Sequence, residues 1–307
     1  MGSQASKSFG ESERAILELF EKDTKFELEG ESYIVNFVGK PTCPQGEPKT
    51  DIYIEAHNTS TNEIKEIKIS YKKENADFIE NKISKERAEQ LFGEKWEEII
   101  KNVTTKLRPN FQEKKLIYKS QKGRTQKGSI TLGWKFELTN KRGGELCAKL
   151  DLTQKELIDV YAGTNLDSNK KNATVNDRKI NNSGVANYIL ISNEVSSINS
   201  VIDLLQPIND YVETNPELYC VCKALNYRTL EAKFDGNRPL AVSVDWTTTD
   251  SKLSYNLNFE TPLTKGGNIA YAQLRCALND IKSKNTNDLN ENNVANYNEI
   301  TYQKKDG

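Results

Sequence analysis

One histidine, His57, in 307 residues closes several chemical routes at once. Histidine-based nuclease motifs and His-containing zinc sites need several imidazoles. A Ser-His-Asp hydrolase would have to recruit His57, and no Gly-x-Ser-x-Gly elbow accompanies it. The five cysteines, Cys43, Cys147, Cys220, Cys222 and Cys276, are odd in number and scattered, with no CxxC pair. Cys220 and Cys222 stand at strand spacing, which points both thiols the same way. Such a set predicts reduced structural cysteines in a reducing compartment rather than a zinc site or a disulfide framework. No apolar run approaches the ~20 residues of a membrane span. The opening residues Met1–Lys7 are polar and lack the apolar core of a signal peptide, so a cytoplasmic protein is expected. Forty-three basic against 44 acidic residues give a formal charge of −1, which excludes nucleic-acid binding by bulk charge alone. A local basic face remains compatible with that balance. No internal repeat is present.

Hydrophobic residues make up 36% and aromatics 8%, enough for a core in one large or two modest domains. Apolar side chains at Ala15, Ile16, Leu17, Leu19 and Phe20 predict an amphipathic helix over 11–22 with an acidic outer face. Tyr33–Val38 is a strand candidate, followed by a loop broken by Gly39, Gly46 and three prolines. Residues 51–56 and 66–73 alternate polar and apolar around Asn58–Asn62, which predicts a β-hairpin. Helices are expected over 75–82, over 85–92 between Ser84 and Gly93, and over 96–106. Strands follow at 129–138 and 145–150. Thr153 and Glu156 have capping-box spacing and open a helix ending near Gly163. Residues 164–184 are Asn-, Asp- and Lys-rich and are expected to form an exposed loop or linker. A strand at 188–191, a helix over 196–212, a β-rich block over 218–259 and a helix near 270–282 complete the pattern. The last two dozen residues, rich in Asn, are expected to be loosely ordered. Interleaved helices and strands make the class α/β or α+β.

The hairpin carries the chemistry. Side chains alternate on a strand, so Asp51, Tyr53 and Glu55 share one face, and Glu66, Lys68, Ser70 and Lys72 share one face of the second strand. Pairing the strands brings carboxylates and lysines together. Phosphodiester hydrolysis uses that mixture: carboxylates hold Mg²⁺, and an ammonium orients the attacking water and offsets charge on the phosphorane. The alternative is a solvated outer face with no chemistry.

The run Gly46-Glu-Pro-Lys-Thr-Asp51, a hairpin, Ile69-Ser-Tyr-Lys72 and then a helix resembles the PD-(D/E)xK nucleases, and type II restriction endonucleases most among them. The resemblance covers about residues 46–93. It implies a restriction-endonuclease-like α/β core, a mixed sheet flanked by helices, over residues 1–163. A C-terminal α+β region over 164–307 would then supply target recognition and dimer contacts. Asp51 takes the place of the family's first aspartate, with Thr50 where a proline often stands. The second half fits two registers. Glu66-Ile-Lys68 matches the family's letters, but Glu63-Ile-Lys65 before it is not an apolar strand. Ser70-Tyr-Lys72 has the better strand before it, but serine replaces the acid. Lys72 is preferred as the catalytic lysine, and the candidate catalytic set is Asp51, Lys72, Glu66 and Lys68. Mg²⁺ would be held by Asp51 and Glu66, with Glu47 or Glu55 as other possible acids.

Lys101 to Lys127 holds nine basic residues against one acid, Glu113. Lys122, Arg124 and Lys127 at its Gly-punctuated end are candidate contacts to DNA phosphates, which set affinity but not sequence choice. Arg228, Asn237 and Arg238 lie on turns of the β-rich block and have the side chains that read guanine and adenine. The same residues also suit ordinary hairpin turns. The expectation is a Mg²⁺-dependent, site-specific endonuclease cutting double-stranded DNA as a homodimer, with no membrane association. The rival expectations are a structure-specific repair or recombination nuclease and a non-catalytic nucleic-acid- or protein-binding module.

Overall fold

The computed structural model of the protein describes residues 4–74, 79–81 and 83–304. In chain order the elements begin with α1 (Gln4–Leu19), β1 (Lys25–Leu28), β2 (Glu31–Gly39), β3 (Pro41–Thr42), β4 (Ile52–Asn58) and β5 (Ile64–Lys72). They continue with α2 (Lys85–Phe92), α3 (Trp96–Lys106), α4 (Arg108–Gln112), β6 (Ile117–Tyr118), β7 (Ser129–Thr139) and β8 (Cys147–Lys149). Next come α5 (Gln154–Ala162), α6 (Ser168–Lys171), β9 (Thr174–Val175), β10 (Arg178–Lys179), β11 (Tyr188–Ile191), α7 (Ile198–Leu204), β12 (Leu205–Pro207) and α8 (Ile208–Thr214). The chain ends with β13 (Tyr219–Arg228), β14 (Lys233–Phe234), β15 (Val242–Thr249), β16 (Lys252–Asn258), α9 (Gly267–Asp280), α10 (Tyr297–Ile300) and β17 (Thr301–Tyr302). The class is α/β. The helix expected over 75–82 lies largely outside the described residues. Among the described residues no helix is long and apolar enough to cross a membrane.

Two compact units interleave along the sequence. The first is drawn from Met1–Asp77, Gln90–Gly93 and Leu152–Pro216, the second from Phe78–Glu89, Glu94–Asp151 and Glu217–Gly307. The boundary expected at 163/164 falls inside the first unit, between α5 and α6.

The first unit is built on a six-stranded sheet in the order β1-β2-β4-β5-β11-β12. β1, β2, β4 and β5 are successive antiparallel neighbours, β11 runs parallel to β5, and β12 is antiparallel to β11. Alternation decides which side chains enter the core. Ile52, Ile54 and Ala56 of β4 and Ile67, Ile69 and Tyr71 of β5 are buried on one face with Ile16 of α1, Phe20 directly after it and Val201 of α7. A second, three-stranded sheet, β10-β9-β3, occupies the segment expected to be loop. The helix expected over 196–212 is broken into α7, β12 and α8. Pro207 explains the break, since it has no N–H to donate and restricts the residue before it to extended backbone. The capping box at Thr153 and Glu156 forms, and α5 ends on Gly163 with φ 79°.

The second unit is an eight-stranded sheet whose main path is β14-β13-β7-β15-β16, with β6 on β7, β17 on β6 and β8 on β13. β7 is buried at ten of its eleven positions, which is why its sequence is almost continuously apolar or small. Gly133 sits in β7 at φ 148°, where a Cβ would lie 2.5 Å from the Val242 carbonyl oxygen. Trp96, Trp134 and Trp246 are all buried, and the Trp246 indole donates to Thr131 O at 2.8 Å. The Asn-rich tail is more regular than expected. Asn285 Oδ1 accepts from Asn287 N, Asn293 Oδ1 from Asn290 N, and β17 pairs in parallel with β6. Asparagine side chains that bond nearby backbone build compact turns where composition alone suggests looseness.

Candidate active site

Asp51 is the last residue before β4, and Lys72 is the last residue of β5. Pairing Ile52 with Ile69 and Tyr53 with Lys68 fixes the register. Continuing it by one residue sets Asp51 across from Ser70. The Asp51 amide donates to the Ile69 carbonyl at 2.8 Å, and the Tyr71 amide donates to Asp51 Oδ2, also at 2.8 Å. These two bonds hold the carboxylate at the end of the hairpin. Lys72 Nζ then lies 3.8 Å from Asp51 Oδ2, with 29% and 18% of the two side chains exposed. Tyr71 is itself anchored, since its hydroxyl donates to Ser192 O at 2.7 Å and is bonded by Ser12 of α1.

Two further groups join this pair. Lys40, just after β2, is bonded to Glu13 of α1. Burial pushes the Asp51 carboxyl above its ordinary value, while Lys72, the Tyr71 amide and Lys40 pull it down and Glu47 pushes it up. Burial also raises Glu13; its bond to Lys40 opposes the shift, and the charges of Asp51 and Glu47 add to it. Burial works against the Lys40 ammonium, but Glu13, Asp51 and Glu47 outweigh it and hold it above its ordinary value. Asp51, Glu13, Glu47, Lys40 and Lys72 are thus one electrostatic group. Carboxylates disfavoured in their charged form beside an ammonium favoured in its own, as Lys40 is, are a common arrangement at reactive centres.

Glu66 and Lys68 stand apart from that group. Lys68 is paired across from Tyr53, and Glu66 across from Glu55. At the strand rise of ~3.3 Å per residue, Glu66 is about 13 Å along β5 from Ser70, opposite Asp51. Glu66 accepts from the Tyr53 hydroxyl at 2.5 Å and faces Lys68 Nζ at 3.5 Å. Burial and the Glu66 carboxylate together raise the Tyr53 hydroxyl. The register therefore does not bring Glu66 to Asp51 as a joint metal ligand, and it gives Lys68 a carboxylate partner of its own. Among the described residues, no three His, Cys, Asp or Glu side chains converge as a ligand set. His57 pairs with Ile64 at the turn end of the β4–β5 hairpin, half-buried, with Nδ1 2.6 Å from Asn36 Oδ1.

The candidate DNA contacts all belong to the second unit. Lys122 and Thr125 exchange backbone hydrogen bonds at 3.0 Å, and the Lys122 ammonium lies 5.0 Å above the Tyr302 ring. Arg124 and Lys127 are exposed on the same loop. Much of the basic stretch before them is already paired: Lys101 with Glu260, Lys106 with Asp151, and Lys114 with Glu145. Arg228 is committed to Glu231 at 2.9 Å and Asp235 at 3.4 Å. Asn237 Oδ1 accepts from Asn268 N at 3.2 Å, and Arg238 is exposed.

Sequence reasoning missed Glu13 and Lys40. Glu13 stands three, four and seven residues before Ile16, Leu17 and Phe20, so helical spacing puts it on the inner side of α1. Its side chain is only 13% exposed, while Glu11 and Glu18 are exposed; that spacing is the signal that could have found it. Lys40 lies in a loop whose path depends on long-range pairing. Comparison of the chain with protein-family models, with curated proteins and with solved structures gives no match.

Proposed function

We propose that this chain hydrolyses DNA phosphodiester bonds with Mg²⁺, at a site centred on Asp51 and Lys72. The observation that carries this reading is a partly shielded carboxylate and ammonium 3.8 Å apart at adjoining strand ends, linked electrostatically to Glu13 and Lys40. The mixed sheet, in which β11 runs parallel to β5 beside an antiparallel meander, supports a restriction-endonuclease-like core. Hard oxygen donors suit Mg²⁺, which is commonly held by one or two carboxylates plus the substrate phosphate. Asp51 and Glu13 are the carboxylates assigned to it, in place of the Asp51–Glu66 pair. When bound, the metal supplies Lewis-acid polarisation of the phosphate and a more acidic water. Lys72 orients the attacking water and offsets charge building on the phosphorane. The Tyr71 amide fixes the Asp51 rotamer, and Ser70 fills the position opposite Asp51 without adding charge. Glu66, Lys68 and Tyr53 form a structural group further along the hairpin.

In its finer form the reading is a cytoplasmic type II restriction endonuclease acting on double-stranded DNA. Symmetric cutting of two strands calls for a homodimer. Lys122, Arg124 and Lys127 would contact backbone phosphates, and Arg238 and Asn237 would read bases, while Arg228 would first have to release Glu231 and Asp235. Digestion of a phage genome with Mg²⁺ and with EDTA tests the proposal. Discrete Mg²⁺-dependent bands lost in Asp51→Ala are expected. A smear, or preference for branched substrates, would move the reading to a repair nuclease. Intact DNA in Mg²⁺, with melting insensitive to metal, would leave a binding module.

A further inference from the structure

The small sheet β10-β9-β3 is held against the sheet end next to Lys40. Pro41 pairs with Val175 and Thr42 with Thr174. The Asn176 side chain donates to Val38 O at 2.8 Å, and the Thr42 hydroxyl donates to Thr174 O at 3.2 Å. The turn residues Asn176 and Asp177 have φ of 43° and 66°, the left-handed pair that closes a two-residue hairpin. Gly39 lets the hairpin approach closely: a Cβ there would lie 2.7 Å from Val175 Cγ1 and 2.9 Å from the Asn176 amide group. The hairpin is therefore a fixed projection.

Between this hairpin and α1 runs a groove of about 530 Å³, lined by Leu17, Lys40, Thr42, Thr174, Asn176 and Asp177 among others. Lys40 links the groove to the site, because its ammonium is bonded to Glu13 and acts on Asp51. Outside the groove the hairpin carries Arg178, whose guanidinium lies 4.9 Å above the Phe37 ring, and the exposed Lys179. Neither has a carboxylate partner among the described residues. Two acids face the same region, Asp177 and Glu13, and Glu13 is already engaged by Lys40. The outer cations are left to an external anion, and the walls offer hydroxyl and amide donors.

We infer that this groove seats the DNA strand flanking the scissile phosphate, with Arg178 and Lys179 on its backbone phosphates and Lys40 at the inner end. The inference rests on the nuclease reading of the Asp51 site and adds a substrate track in the first unit, on residues that composition marks only as linker. Contacts of this kind set affinity and salt dependence without sequence choice.

The test is anisotropy of a labelled duplex of about 30 base pairs titrated with the full chain in EDTA across a salt series. Arg178→Ala/Lys179→Ala is compared with wild type and with Lys155→Ala, an exposed lysine on α5. Loss of two phosphate contacts lowers the slope of log K against log salt by about 1.8, since each contact contributes ~0.9. A slope equal to that of Lys155→Ala, or a wild type that binds no duplex at all, overturns the inference. Melting checks that both variants fold. The two readings fail separately. A chain that cleaves phage DNA with Mg²⁺ while the slope stays unchanged loses the groove and keeps the nuclease. A chain whose slope falls as stated but which cleaves no better than Asp51→Ala keeps the groove and loses the nuclease.

Discussion

Replacing Lys72 and Lys68 separately by alanine discriminates between the two registers of the hairpin. Lys72 Nζ is 3.8 Å from Asp51 Oδ2 and both groups are largely shielded, so their attraction is about 4 kcal/mol at an effective dielectric of ~20. A phosphorane at Asp51 adds negative charge within the same reach. Removing one preorganised donor from such a charge costs about 2.7–4 kcal/mol, or ~10²–10³ in kcat. Lys68 lies four residues before Lys72 on β5, about 13 Å along the strand, and Glu66 at 3.5 Å offsets its charge. Lys68→Ala should therefore change kcat by less than ~3-fold. The assay is the initial rate of plasmid nicking at saturating Mg²⁺, with folding checked by melting. A secondary signature has a definite sign. Lys72 lowers the Asp51 pKa, so without it Asp51 keeps its proton to higher pH and the residual activity moves alkaline. A loss in Lys68→Ala as large as that in Lys72→Ala, or full activity in Lys72→Ala, would refute the assignment.

Asp51→Asn should abolish cleavage and raise the melting temperature at neutral pH. Burial raises the Asp51 pKa, so its contribution to stability is full below the ordinary value near 3.8 and falls as pH rises through the raised one. The variant's advantage should widen from about pH 4 upward in a melting series; an advantage independent of pH would contradict it. Mg²⁺ at ~100 times its Kd should stabilise the wild type by about 2.7 kcal/mol and Asp51→Ala by much less, read as a melting shift. Ile69→Ala removes a fully buried side chain between β4 and β11 and should cost about 2–5 kcal/mol in chemical denaturation of the first unit. Gly184→Ala would put a Cβ 1.8 Å from the Lys170 carbonyl oxygen, so the backbone must move, at a cost of at least ~1–3 kcal/mol.

Local patterns carried much of the fold. Period-2 alternation fixed the β4–β5 hairpin, the capping box with Gly163 bounded α5, and apolar periodicity found α3 and α9. What escaped depends on distance in sequence or on a single residue. Pro207 breaks a helix whose periodicity runs through it. The β9–β10 hairpin is polar because Val175 is the one buried residue of its two strands, so composition reads it as linker. At the site, alternation put Asp51 and Lys72 on candidate faces but left two registers open. Long-range pairing, which sets Asp51 across from Ser70, is what separates Glu66 from it. Glu13 and Lys40 reach the group only through the packing of α1 and the turn after β2. Glu13 is marked locally only by its spacing from Ile16, Leu17 and Phe20 on the apolar side of the helix, and Lys40 by nothing local.

The parallel pairing of β11 with β5 has a consequence for synthesis on the ribosome. β5 ends at Lys72 and its partner begins at Tyr188, about 116 residues later. At ~5–20 residues per second, the β5 edge waits roughly 6–23 s before the strand that covers it exists. An unpaired apolar edge is a template for foreign strands. The charged residues on β5, Lys65, Glu66, Lys68 and Lys72, would then protect the nascent chain against association during that interval, separately from any part they play in chemistry. Neutralising Lys65 and Glu66 should lower soluble yield during expression more than it lowers the stability of the finished protein.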